Sequence, residues 1–387
     1  MLFFRCSCHR LVSIRQLVKM TYSPVMKDRL LEYSPEGLNF YKSPTAKTHF
    51  SLMTYNILSQ QLLYDNRYLY FSANSEHLEW SVRKPKLLHE IFSYNPDILC
   101  LQEVEKAHFM EDLEASITDR NYEVLYCGRT GDKVDGCALC VKRSMFKIVK
   151  HRKVEYFREG VWQLKGHNVG IIALLSSING NEEICVATTH ILFNKRRGEV
   201  KLAQICMLLS EIEYIVRGNN CPVLLCGDFN MFPESPLYRF IINGKLEYAA
   251  FKCEELSGQL SDDFKRPVFC PLLPPMLNIT DECVLSTNIE LVKSFSNQVQ
   301  HHFKFRSVYP HRTADNDYEI STRHDGGNEN VDYIFYAPHP FNRGPSLIPL
   351  GRLQLPSKTR TTQMGCLPNK QFPSDHFLLI STFFIDS

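Results

Sequence analysis

Asp228 and Asn230 stand one residue apart where the apolar run Val223-Leu224-Leu225-Cys226 ends in Gly227-Asp228-Phe229-Asn230. A carboxylate and an amide at the exit of a buried strand suit work on a phosphate. The acid can hold a metal or orient a water, and the amide can donate to an oxyanion. An Asx-turn that simply ends the strand uses the same two residue types. Asn56, Glu103 and His190 also follow apolar runs directly, Asp332 opens one, and Asp375-His376 stand at the foot of the last. Singly, each has an ordinary reading: a turn residue at Asn56, an exposed end-of-strand acid at Glu103, a hydrogen-bonded core histidine at His190, a solvated turn at Asp375-His376. Together the eight form a set whose types point to one chemistry. There is no Ser or Cys nucleophile on a recognisable elbow and no GxxxxGK[ST] phosphate loop. The histidines are too dispersed for a zinc site. Carboxylates and amides are hard oxygen ligands that suit Mg²⁺, with Mn²⁺ as the alternative. The reaction implied is metal-assisted hydrolysis of a phosphorus ester.

The elements that must position these residues are legible as apolar runs. Strands are expected at Phe50–Tyr55, Ile98–Leu101, Cys137–Val141, Phe146–Val154, Ile171–Leu175, Ile184–Thr188, from Val223, at Phe303–Tyr309, Val331–Tyr336 and Phe377–Ile385. Asn179-Gly180 marks a hairpin between two of them. Helices are expected over Val82–Tyr94, stopped by Pro96, and from about Glu199 to Arg217, where Val200, Ala203, Met207, Ile212 and Ile215 recur with helical spacing. Gly227 reads as the point where the backbone turns without a Cβ penalty. Asp315–Asn330 and the basic stretch holding Arg352, Lys358, Arg360 and Lys370 read as loops. Hairpins and many strands among few helices argue for an α/β fold of two mixed sheets packed face to face with helices outside. The polar strand exits then gather at one mouth of the sandwich.

The chain has 387 residues, 44% apolar and 22% charged, with a net charge of +2. That composition is globular, and it leaves no global basic field; contact with nucleic acid must come from a local patch. No run reaches the ~18–20 apolar residues of a membrane span. The 14 cysteines are scattered, many inside apolar runs, which implies a reducing compartment and no disulfide framework. Cys137 and Cys140 form a CxxC, but in a strand they face opposite ways, which excludes a shared metal. Residues 1–27 lack Asp and Glu and carry Arg5, Arg10, Arg15, Lys19 and Lys27 among apolar residues. This is the composition of a mitochondrial presequence, against a plain tail or an alternative start. Residues 1–48 are read as an N-terminal extension and linker, and 49–387 as one catalytic domain with a proline-rich surface insertion at about 250–300.

Six motifs occur in a fixed order: Thr54-Tyr55-Asn56-Ile57-Leu58, Leu101-Gln102-Glu103-Val104, Thr189-His190, Gly227-Asp228-Phe229-Asn230, Asp332-Tyr333-Ile334 and Ser374-Asp375-His376. In this the chain resembles the endonuclease/exonuclease/phosphatase superfamily, whose DNase I-like fold is a four-layer sandwich. Asn56–Gln60, Arg129-Thr130-Gly131, Asp135-Gly136-Cys137-Ala138, Arg196-Arg197-Gly198 and Ser235-Pro236-Leu237-Tyr238 make it similar to the Angel branch, relatives of nocturnin and the carbon-catabolite-repressor-type deadenylases. It departs from that branch at Lys195, where proline is usual, and at Glu199 and His167, where aspartate is usual.

The resemblance implies roles residue by residue. Glu103 binds Mg²⁺, with Asn56 supporting the metal and the phosphate and Asp375 beside the metal or the leaving oxygen. Asp228 orients and deprotonates the attacking water. Asn230 and His190 bond the phosphoryl oxygens. His376, oriented by Asp332, stabilises the charge that develops. Arg196 and Arg197, close after His190, are expected to hold a neighbouring RNA phosphate, against the reading that they only begin the following helix. The implied substrate is RNA, with removal of 2′,3′-cyclic phosphate from its ends preferred. Trimming of poly(A) as a 3′ exonuclease is the alternative, and a catalytically weak scaffold for RNA or translation factors a third reading. Partners beyond RNA would be translation or mRNA-processing factors, with no membrane, in the cytoplasm or, from the basic N-terminus, in mitochondria.

Overall fold

The computed structural model describes residues 29–42, 48–180, 182–259, 266–288, 292, 296–338 and 345–386. The basic stretch 1–27 lies outside them. In chain order the strands are β1 (Leu31–Tyr33), β2 (His49–Asn56), β3 (Ile98–Gln102), β4 (Tyr122–Gly128), β5 (Gly136–Lys142), β6 (Phe146–Glu155), β7 (Val169–Ser177), β8 (Glu183–His190) and β9 (Val223–Asp228). They continue with β10 (Lys245–Leu246), β11 (Val299–Gln300), β12 (Arg306–Ser307), β13 (Thr322–His324), β14 (Gly327–Glu329), β15 (Asp332–Ala337), β16 (Ser346–Leu353) and β17 (Leu379–Asp386). A seven-stranded sheet runs β1-β16-β17-β2-β3-β5-β4 and a six-stranded sheet β12-β15-β9-β8-β7-β6.

Alternation along each strand builds the layers. In β9, Leu224 and Cys226 enter the core between the two sheets, while Val223 and Leu225 face outward beneath the helix Gly198–Val216. On the far side, Leu87, Ile91 and Tyr94 of the helix Trp80–Tyr94 close onto the first sheet. Two mixed sheets with helices outside is the expected architecture.

Strand direction decides where the polar residues go. β2 and β3 pair in parallel, as do β8 and β9, so the ends of all four point to one edge of the sandwich. β15 is antiparallel to β9 and β17 antiparallel to β2, so these two begin at that edge. This is why Asp332 opens its run and Asp375-His376 precede theirs. The register sets His190 beside Asp228 and Asp228 beside Asp332, one rung across three strands.

Several expectations need correction. The stretch read as a linker over 28–48 is ordered in part: β1 pairs with β16, and Pro35–Lys42 forms a helix. Its polar side chains suit an edge strand, half of whose surface is in water. Only Arg306–Ser307 of the Phe303–Tyr309 run is strand; Phe303 and Phe305 instead pack in the outer core. The 315–330 loop contains the β13–β14 hairpin, and the basic stretch contains part of β16 and the helix Lys358–Met364. In the 250–300 region Leu256, Leu272 and Cys283 are buried against the outer core, so the described part is packed and not merely superficial. Gly227 lies inside β9, not at a turn: at φ 131° a Cβ there would overlap the Thr189 carbonyl oxygen of β8. Among the described residues no helix is long and apolar enough to cross a membrane.

Candidate active site

Asn56, at the end of β2, is fully buried and bridges the two sheets. Its Nδ2 donates to Glu103 Oε1 at 2.9 Å and to Asp228 Oδ2 at 3.1 Å. Its Oδ1 accepts from the Leu58 N–H at 3.1 Å. The Asn56 oxygen is thus engaged within its own turn, and its amide links Glu103 to Asp228. Glu103 follows β3 with φ 56° and accepts from the Ser59 N–H at 3.1 Å. That left-handed backbone is uncommon outside glycine and marks a constrained residue.

Asp228 Oδ1 accepts from the Asn230 N–H at 2.9 Å, which holds Asn230 at φ 46°. The Asn230 side-chain amide donates to the Ile191 carbonyl at 3.0 Å and lies 3.2 Å from His190 Nε2. His190 Nε2 is 3.6 Å from Asp228 Oδ2, and His376 Nε2 is 3.9 Å from the same oxygen. His376 Nδ1 contacts Asp332 Oδ2 at 2.8 Å, which fixes the tautomer. Asp375 Oδ2 accepts from the Tyr70 hydroxyl at 2.8 Å, while its Oδ1 is buried without a partner.

The electrostatics divide these groups into two kinds. Burial, then the neighbouring Asp332 carboxylate, pushes Asp228 up to about 8. Burial, then Asp375 and Asp135, pushes Glu103 up to about 7. Both shifts say that acids are crowded where little water can solvate them. Burial opposes a charged ring at His376, but Asp332, Asp375 and Asp228 outweigh it and lift the ring well above the usual histidine range. Burial, reinforced by Arg129 and His376, holds His190 well below that range. The two histidines therefore differ: His376 is the cation, and His190 a neutral hydrogen-bonding group.

Donor atoms of Glu103, His190 and Asp228 lie within 4.8 Å of one another. Two hard carboxylates, with a buried unpartnered oxygen of Asp375 near Glu103, fit a divalent cation of the Mg²⁺ type. Asp228, Asp332 and His376 also cluster, but there the ring nitrogen already bonds Asp332, which makes this an ion pair.

Glu103, His190, Asp228, Asn230, Asp375 and His376 edge a cavity of about 200 Å³, whose wall also includes Tyr70, Arg129, Lys133, Phe193 and Glu329; Asn56 and Asp332 stand behind it, bonded to Glu103 and His376. The eight residues of the expected catalytic and metal set converge; Arg196 and Arg197 do not line this cavity. Arg197 Nε bonds Glu199 Oε1 at 2.5 Å, and its guanidinium lies 4.6 Å from the centre of the Trp162 ring. Arg196 is exposed, and its carbonyl accepts from the Arg266 guanidinium. The chain enters the helix at Gly198, and the first-turn Glu199 pairs with Arg197. The arginine and lysine that do border the cavity are Arg129, with a buried unpartnered Nε, and Lys133. Tyr70 and the buried Arg83 were missed as well. Arg83 donates to the carbonyls of Ile57, Leu58, Leu78 and Pro373 and to Gln60 Oε1, tying the segment after Asn56 to the one before Asp375. The sequence signal was an arginine on the buried face of its helix, in line with Leu87, Glu90, Ile91 and Tyr94.

The model of the Endonuclease/Exonuclease/phosphatase family matches residues 53–376. The chain is 38% identical to human protein angel homolog 2 over 377 residues, which cover 87% of this chain and 69% of that protein. It is 34% identical to human protein angel homolog 1, covering 95% of this chain and 68% of the relative. Among solved structures, ANGEL2, described as a 2′,3′-cyclic phosphatase and bound to adenosine-2′,3′-vanadate, superimposes with a TM-score of 0.84 at 39% identity, covering 93% of this chain and 99% of the other. The human nocturnin catalytic domain shares the fold, with a TM-score of 0.59 at 22% identity over 94% of this chain and 99% of that one.

Proposed function

This chain belongs to the endonuclease/exonuclease/phosphatase family, in its Angel branch, and from that premise we propose that it is the phosphoesterase that removes 2′,3′-cyclic phosphate from RNA 3′ ends with Mg²⁺ as cofactor. The observation that carries the reading is the single cavity where Glu103, Asp228, Asn230, His190 and His376 meet, in a chain 39% identical to a 2′,3′-cyclic phosphatase of the same fold. Glu103, with Asp228 and Asp375 beside it, would hold the cation. When bound it supplies Lewis-acid charge to a phosphoryl oxygen and offsets the crowded acids.

The remaining roles belong to the chain. Asp228 takes the proton of the attacking water, its carboxylate held in place by the Asn230 N–H and the Asn56 amide. Asn56, donating to both Glu103 and Asp228, sets the distance between the metal-holding acid and the base. The Asn230 amide and the neutral His190 bond phosphoryl oxygens without adding charge. His376, kept cationic by Asp332, acts where negative charge grows as the P–O bond to the ribose breaks. The released ribose oxygen is protonated and leaves a 2′- or 3′-monoester. A second water attack at the same site frees inorganic phosphate and leaves the cis-diol. We take RNA to be the partner and the cytoplasm the site of action.

The test is two labelled RNAs, one ending in 2′,3′-cyclic phosphate and one in poly(A). The expected result is a diol end on the first, with its nucleotide count unchanged. Release of AMP from the poly(A) tail, with cyclic ends untouched, overturns the reading in favour of a deadenylase.

A further inference from the structure

The helix Gly198–Val216 is buried along nearly its whole length, yet it carries Lys201 and Gln204 among Val200, Leu202, Ala203 and Ile205. A buried lysine is tolerated only when its amine is bonded. Lys201 is 0% exposed, and its Nζ donates to the Asn230 carbonyl at 2.6 Å and to Gln259 Oε1 at 2.7 Å. Burial pushes its ammonium down to about 7 against the pull of Asp228 and Glu329. Charged or neutral, the amine keeps the two N–H bonds that its two partners accept.

Gln204, three residues on, shares that face of the helix. Its Oε1 accepts from the Leu192 N–H at 3.0 Å, and its Nε2 donates to Asn168 Oδ1 at 3.3 Å. One helical turn therefore grips the segment after β8, which follows His190, and the segment after β9, which carries Asn230. The grip extends to the cavity wall. Gln259 Nε2 donates to Glu329 Oε2 at 3.3 Å, and Glu329 Oε1 accepts from Lys195 Nζ at 2.5 Å. Asn230 sits in the left-handed region at φ 46°, a conformation that persists only where the surroundings over-determine it.

We propose that Lys201 is a positioning residue for the phosphoester reaction: by holding the Asn230 carbonyl from behind, it fixes the Asn230 amide in the cavity beside Asp228 and His190. It touches no substrate. This rests on the reading of Asn230 as a phosphate-facing group given above. A purely space-filling role makes a different prediction, because methionine has nearly the same length and buries well.

The test compares wild type, Lys201→Met, Asn230→Ala and the double variant as full-length, metal-loaded protein, on whichever phosphodiester the wild type hydrolyses. A misplacement of catalytic groups by a fraction of an ångström to an ångström predicts a kcat for Lys201→Met lower by ~10- to 100-fold, with KM within about threefold. On the Asn230→Ala background the same substitution should cost less than about twofold more, because the two residues act as a unit. A Lys201→Met kcat per folded molecule within about twofold of wild type, or a loss that multiplies fully on the Asn230→Ala background, overturns the proposal. A wild-type rate for Asn230→Ala itself overturns the reading on which the proposal rests, a separate result from additivity. If Lys201→Met does not fold, Lys201→Gln, which keeps one donor, is carried through the same cycle and judged by the same additivity.

Discussion

Crowded acids make metal binding a competition with protons, and the pKa values of Glu103 and Asp228 set its size. Glu103 is pushed up to about 7 and Asp228 up to about 8. With a pKa near 7 a carboxyl is ~9% ionised at pH 6 and ~91% at pH 8, so a cation that needs Glu103 ionised binds ~10-fold tighter at the higher pH, or ~1.4 kcal/mol. If Asp228 must also lose its proton, the factor grows to ~500-fold, and the logarithm of affinity climbs with a slope approaching two per pH unit. The sign for the metal-free protein is opposite. Both carboxyls have folded pKa values raised above their ordinary ones, so their contribution to stability is present below the ordinary range of ~4 and is lost as pH rises through about 7 and 8. The cation relieves that loss. Thermal unfolding after EDTA treatment, with and without added Mg²⁺, at pH 6, 7 and 8, reads both effects. The metal-free melting temperature should fall across this range, and the Mg²⁺-induced increase should be larger at pH 8 than at pH 6. Glu103→Gln should abolish most of the difference. A Mg²⁺ effect that is equal at the two pH values, or larger at pH 6, refutes the assignment of the metal to these acids.

Glu103→Ala should lower turnover by ~100-fold or more while far-UV circular dichroism stays that of wild type, because the side chain lines the cavity and fills no core; activity that survives both this change and EDTA removes the metal mechanism. Asp332→Ala and His376→Ala should be non-additive in kcat/KM, since the 2.8 Å contact makes them one unit. Asp332→Ala should also move the alkaline decline of the rate to lower pH, since the ring loses the carboxylate that lifts it; an unmoved limb measured from pH 6 to 10 contradicts this. Arg83→Met leaves the carbonyls of Ile57, Leu58 and Pro373 without their side-chain donor and should cost ~3–5 kcal/mol in denaturant unfolding; a cost below about 1 kcal/mol shows that these groups find other partners.

What the sequence revealed and what it hid follow from range. Runs buried on both faces, such as Val223–Cys226 and Ile98–Leu101, are legible because burial leaves nothing polar in them. β16 escaped notice because Pro349 and Gly351 interrupt its pattern, and the pairing with β17 shifts register between those two residues. β1 escaped because an edge strand needs little apolar surface. Arg196 and Arg197 follow His190 closely in sequence but lie outside the cavity wall, and Arg197 pairs with Glu199 at the start of the next helix. Arg83 and Lys201 could not be assigned from local pattern, since all of Arg83's acceptors but Leu78 lie 23–290 residues away and those of Lys201 29–58.

The site is a consequence of strand direction and register before it is a set of residue types. His190, Asp228 and Asp332 share a rung only because β8 runs with β9 and β15 runs against it. A slip of one residue in the β9–β15 pair would turn Tyr333 and Ile334 to the opposite faces and move Asp332 off His376. The slip is blocked on one side by the inner core, where Ile334 packs with Leu224 and Cys226, and on the other by Tyr333, which packs against Phe229 and whose hydroxyl donates to the Met231 carbonyl at 2.8 Å. The aromatic residue that follows Asp332 and the one that follows Asp228 thus lock the register that aligns the two acids. Apolar packing buries Asp228 and sets its spacing from Asp332; burial first, then that neighbour, raises the pKa of Asp228, and the same acids keep His376 charged. The chemistry at the mouth therefore depends on side chains that never reach it.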